Sequence, residues 1–136
     1  MAVAPISAVR RVVEYATREI ERDKIMLGIP NYGYNWRLPY ERGTTRAENI
    51  GNEGAVLLAA DVGAEIKFDE EAASPYFEYT DRGGSQHIVW FEDVRSIKAK
   101  FELLEEFNLR GAGYWNFMRP FSQNFAYVSD RFYINK

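Results

Sequence analysis

Residues 24–36 read KIMLGIPNYGYNW. The first half is a short apolar run without alternation, the pattern of a strand covered on both faces and typically parallel to its neighbour. Pro30 has no N–H to donate and stops regular pairing. Beyond it stand Asn31, Tyr32, Tyr34, Asn35 and Trp36. These side chains carry polar edges that a core strand does not need, so the chain is expected to leave the sheet here and point them at something.

A second stretch behaves the same way. RGAGYWNF, residues 110–117, is a short strand of tiny residues that ends in Tyr114, Trp115 and Asn116. Each strand follows an amphipathic helix. In residues 7–22, Val9, Val12, Val13, Ala16 and Ile20 recur at helical spacing, with Ser7 as the expected N-cap. In the later helix, Val94, Ile97, Phe101, Leu104 and Phe107 form the stripe. Glu92 and Asp93 open it at the positive end of its dipole. Asn108 closes it in the left-handed conformation.

Between these two units lies a small α+β excursion. Residues 37–51 read as loop. Asn52 is expected to cap a helix that runs to about Val62 and stops at Gly63. A short strand, AEIKFD, follows. YFEYT and SQHIVWF then flank DRGG, a hairpin signal. Two helix–strand units broken by an insertion suggest an α/β protein. In a (β/α)₈ barrel the functional residues sit at the C-terminal ends of the strands. On that reading Asn31–Trp36 and Trp115–Asn116 would face one shared cleft.

Composition narrows the chemistry. The chain has 136 residues, a net charge of −3 and no basic run, which argues against nucleic acid and against an anionic membrane surface. No apolar run approaches the roughly 20 residues of a membrane helix. There is no cysteine and one histidine, His87, so neither disulfide nor thiol chemistry is expected, and zinc is disfavoured. No cofactor is expected. Aromatic content is high, with 9 Tyr, 9 Phe and 3 Trp. Stackable faces with polar edges suit sugar binding, and they suit a core equally well.

The segments KIMLGIPNYGYNW, GAEIKFDEEAASPYFEYTD, HIVWFEDVRSIKAKFELLEEFNLRGAGYWNF and MRPF closely resemble the C-terminal part of family 18 glycoside hydrolases. The bacterial sporulation or spore-cortex type, which acts on N-acetylglucosamine-containing glycans, is the nearest flavour. The resemblance runs over nearly the whole chain. It implies a (β/α)₈ barrel in which residues 1–36 supply a helix and strand seven. Residues 37–91 would form an α+β insertion that walls the cleft, and residues 92–136 a helix, strand eight and the tail. It implies substrate-assisted, retaining hydrolysis of β-1,4-linked glycans such as chitin or peptidoglycan, and an extracytoplasmic, cell-wall or spore setting.

The departure from the family pattern is as informative. The signature D-x-x-D-x-D-x-E, whose Glu is the general acid, is absent. Asp69, Glu70 and Glu71 have the wrong spacing and read as a solvated turn. A whole barrel takes about 250 residues. The chain therefore reads as a piece of a longer protein, inactive alone, with no catalytic residue of its own. The expected substrate-binding residues are Trp115, Tyr32, Trp36, Asn31, Asn116 and Tyr76. For Trp115, Tyr32, Trp36 and Tyr76 the alternative is packing. For Asn31 and Asn116 it is hydrogen bonding to backbone. Trp90 reads as core and His87 as surface. Arg119 either holds a carboxylate or caps a helix. A non-catalytic glycan-binding module and a purely structural element are the competing readings. Two strands made for a closed barrel would leave edges exposed. Either a homo-oligomer or a compact core around the insertion should result.

Overall fold

The computed structural model describes residues 1–116, 118–119 and 121–132. It shows a mixed α/β fold with two cores. The first surrounds a two-stranded parallel sheet, β1 (Met26–Pro30) against β7 (Gly111–Trp115), in the register Met26↔Gly111 to Pro30↔Trp115. Three helices accompany it: α1 (Ile6–Glu19), α3 (Val94–Glu106) and α4 (Ser122–Arg131). Leu27 and Ile29 of β1 pack with Val13, Ile97, Phe101, Leu103 and Leu109. Their burial supplies the main driving force for this half.

The second core belongs to a five-stranded antiparallel sheet in the order β3-β2-β6-β5-β4. Its strands are β2 (Gly33–Arg37), β3 (Glu48–Ile50), β4 (Lys67–Asp69), β5 (Ser74–Thr80) and β6 (Gln86–Trp90). Helix α2 (Asn52–Val62) accompanies it, and Ala55 and Ala59 pack with Phe77, Val89 and Phe91. The loop Asp81–Ser85 turns the β5–β6 hairpin, with Gly84 at φ +82° as the DRGG signal requires. In the tail α4 is formed, and residues 133–136 lie outside the described residues.

Several local expectations are corrected. The chain re-enters a sheet after Pro30: Gly33–Arg37 is strand β2, so the expected boundary at 36 falls inside it. Gly33 makes this possible, because a Cβ there would sit 2.8 Å from Cβ of Phe91 and closer still to the Trp90 carbonyl. Residues 48–50 form a strand rather than loop. Pro5, not Ser7, occupies the N-cap of α1, and the Ile6 N–H is satisfied by the Ala72 carbonyl at 2.9 Å. Gly51 caps α2, while Asn52 is its first residue and is buried. Helix α3 begins at Val94 behind a capping box made by Asp93 and Ser96. Glu92 lies outside the helix and forms a buried ion pair with Lys100 at 2.8 Å. The left-handed closures at Gly63 (φ +66°) and Asn108 (φ +50°) stand as read.

The reading of β1 as covered on both faces also changes. Leu27 and Ile29 are buried, whereas Met26 and Gly28 are exposed. The register puts Met26, Gly28, Gly111, Gly113 and Trp115 on the face opposite the helices. Met26, Gly28, Gly113 and Trp115 stand exposed on that face. On α1 the stripe splits in the same way, with Val13 buried and Val12 67% exposed.

Candidate functional site

Trp115 ends β7 with 70% of its surface exposed, beside Pro30 at the end of β1. Its carbonyl accepts the Asn31 N–H at 2.6 Å, which continues the parallel pairing one residue past the strand. The following Trp115–Asn116 peptide is cis. Asn116 uses its side-chain oxygen on its own turn, accepting the Met118 N–H at 3.1 Å.

A second aromatic surface forms on the insertion sheet. Side chains alternate across a strand, so Tyr34 and Trp36 of β2, Trp90 of β6 and Tyr76 of β5 share one face. The opposite face carries Phe77 and Val89 toward α2. Tyr76 stacks on Trp90 with centroids 4.7 Å apart and planes 22° from parallel. Tyr32, Tyr34, Trp36 and Tyr40 form an edge-to-face series at 5.6, 5.7 and 5.5 Å. The Trp36 Nε1–H donates to the Met1 carbonyl at 2.9 Å. A groove of about 630 Å³ runs along this face, lined by Tyr34, Trp36 and Trp90, the carboxylates Asp69 and Glu71, and Ser7. Such a surface offers ring faces to apolar C–H patches and acceptors to hydroxyls.

Between the two surfaces sits a buried polar network. Asn31 is 1% exposed, and its amide donates to the Arg119 carbonyl. Its oxygen accepts the Asn52 Nδ2–H at 3.2 Å. Asn52 in turn accepts the Glu92 N–H at 3.0 Å. The Glu92 carboxyl is pushed above the usual carboxylate range by burial, against the opposing pull of Lys100. Its charge also acts on two phenols. Tyr114 is pushed up to about 12, first by burial and then by Glu92, and Tyr32 is raised first by burial, then by its contact with Tyr34, and least by Glu92.

The expected site residues therefore separate. Trp36 lines the groove, and Tyr32 and Tyr76 flank it through Tyr34 and Trp90. Trp115 and Asn116 sit at the strand ends, apart from the groove lining. Asn31 turns inward and takes the backbone-bonding role. Among the described residues Arg119 meets no carboxylate: its guanidinium donates to the side-chain oxygen of Asn49. Trp90, read as core, was missed as a groove residue, and Tyr34 was expected at the cleft only as part of the stretch Asn31–Trp36. The strict alternation of GYNWR and QHIVW carries that signal, because it places both rings on the face away from Val89 and Phe77. His87, read as surface, has 12% side-chain exposure and bonds Asn35 and Asp81 at 3.0 and 3.3 Å.

Comparison with known proteins agrees with this architecture. The family model described as "Glycosyl hydrolases family 18" matches residues 3–119. The cortical fragment-lytic enzyme of Bacillus subtilis is 46% identical over 99% of this chain, which corresponds to 31% of that protein. The crystal structure of the Bacillus megaterium spore cortex-lytic enzyme SleL superposes with a TM-score of 0.94 at 46% identity, over 100% of this chain and 32% of that one. The Bacillus cereus spore cortex-lytic enzyme SleL gives 0.95 at 40% identity, over 100% and 32%. The chain thus spans about a third of the length of these relatives. It belongs to glycosyl hydrolase family 18.

Proposed function

We propose that this chain forms one side of the saccharide cleft of a glycosidase acting on β-1,4-linked N-acetylglucosamine-containing glycans of the cell wall or spore. On this reading β1 and β7 are strands seven and eight of a (β/α)₈ barrel. The five-stranded sheet with α2 is its insertion, and the groups that protonate the leaving oxygen lie outside these residues. The one-sided covering of the parallel pair supports the barrel: helices pack on one face, and glycines with an exposed indole occupy the other. The names of the relatives support a cell-wall glycan as substrate.

The single observation that carries the proposal is the exposure of Trp115, a 70% open indole held at the C-terminal end of a parallel strand. Leaving so large an apolar ring in water is unfavourable, and a pyranose laid on it would restore part of that loss. Contacts of this kind raise the rate only where they favour the distorted sugar ring over the relaxed one. The groove along Trp36, Tyr34 and Trp90 would hold neighbouring sugar units.

A second reading is favoured by another observation. Val12, Tyr15 and Met26 are 67%, 66% and 55% exposed, and an apolar groove of about 470 Å³ runs between α1 and β1. The remaining barrel strands would cover this face in a longer protein, and self-association would cover it in the chain alone.

Calorimetric titration with N-acetylglucosamine oligomers tests the proposal. Saturable binding is expected, weakened roughly 10- to 100-fold by Trp115→Ala, the range that corresponds to losing one stacked aromatic side chain. A chromogenic N-acetylglucosaminide should not be turned over. Equal binding by the variant would remove Trp115 from the site, and turnover would place a competent acid inside the chain.

A further inference from the structure

Trp115 is the last residue of β7, and Arg119 lies four residues further along the chain. A platform on such a segment is useful only if the segment is held still. The Trp115 end is held by β1, because Asn31 donates its N–H to the Trp115 carbonyl, and two further contacts hold the Arg119 end. The Arg119 guanidinium donates to the side chain of Asn49 on β3. The Arg119 carbonyl accepts from Asn31, which is fixed by Asn52, the first residue of α2. Arg119 also lies across Gly51, with its Cδ 3.7 Å from where a Cβ would stand. Asn49 and Asn31 thus bond the arginine directly, and Asn52 acts on it only through Asn31. Arg119 has no ion-pair partner among the described residues, so its charge meets no carboxylate there.

We infer that Arg119 is a positioning residue. It clamps the segment carrying Trp115 to the β3–α2 corner of the insertion and so sets the distance between the indole and the aromatic wall. The insertion is then a spacer that fixes the platform as well as a wall. The usefulness of that distance to a saccharide rests on the function proposed above; the clamp itself does not.

The test labels all three tryptophans with 5-fluorotryptophan and follows their fluorine lines, with the Trp115 line assigned by Trp115→Phe. The variants are Arg119→Ala, Arg119→Lys and Asn49→Ala, the last at an exposed position where loss of folding is not expected. Arg119→Ala and Asn49→Ala should each shift or broaden the Trp115 line. The Trp36 and Trp90 lines and the melting temperature should stay in place, and Arg119→Lys should restore part of the effect. Affinity for N-acetylglucosamine oligomers should fall roughly 3- to 10-fold, the factor that freezing one large side chain costs. An unchanged Trp115 line in both alanine variants overturns the clamp. If Arg119→Ala unfolds, Asn49→Ala decides. If the wild type binds no oligomer, the proposed function fails while the fluorine line still decides the clamp.

Discussion

Asn31 and Trp115 are neighbours across the parallel pair, and they show how differently two strand-end residues can be used. The Asn31 side chain is short and has both a donor and an acceptor, so burial is tolerable once both are satisfied. It joins the turn after β7 to α2. The Trp115 ring is left in solvent. Sequence alone could not separate these fates, because an amide after a strand suits a ligand and a backbone carbonyl equally. The Glu92–Lys100 pair is a further residue-scale feature, with each side chain 1% exposed. Removing one partner of a buried pair typically costs about 3–5 kcal/mol, because the other charge remains buried. Lys100→Met should therefore lose stability of that order near neutral pH, read by chemical denaturation. The pH dependence has a definite sign. Burial raises the folded-state pKa of Glu92 above its unfolded value. A carboxyl raised in this way makes the folded state lose stability as pH rises from the unfolded value through the folded one. Below that window Glu92 is neutral and the variant's deficit should shrink. A deficit that grows on acidification would contradict the assignment.

At the scale of elements, the helices were legible and their edges were not. The stripe of α3 was read from Val94, Ile97, Phe101 and Leu104, and Ile97 and Phe101 are core residues. Its start was misjudged by two residues. Glu92 and Asp93 look alike as helix openers, yet only Asp93 has its side chain on the Arg95 and Ser96 N–H groups, at 2.9 and 3.1 Å. Asp93→Ala should destabilise the chain by about 1 kcal/mol in thermal or denaturant unfolding, whereas removal of a merely exposed acid would leave it unchanged. The strands failed for a different reason. The run IMLGI hides its alternation because both faces are apolar, so nothing in it says that one face lacks a neighbour. Strand β2 was hidden by Pro30, which ends one sheet three residues before another begins, a change of direction that Gly33 permits.

At the scale of the whole molecule, the chain carries two cores of different character. The antiparallel sheet with α2 has its own apolar cluster. The parallel pair has helices on one side and an open face of glycines and methionine on the other. The membership in family 18 was readable from ordered motifs along most of the chain, and so was the absence of its acidic signature. The aromatic groove was only half readable. Its rings come from strands far apart in sequence, and only their register brings Tyr34 beside Trp90. The central claim is that the exposed indole and this groove receive a saccharide. Its most direct test is the fluorine spectrum of the labelled chain during titration with an N-acetylglucosamine trimer. The account predicts that the Trp115 line moves saturably and that the Trp36 line moves with it. Three lines that stay still at saturating trimer would contradict it.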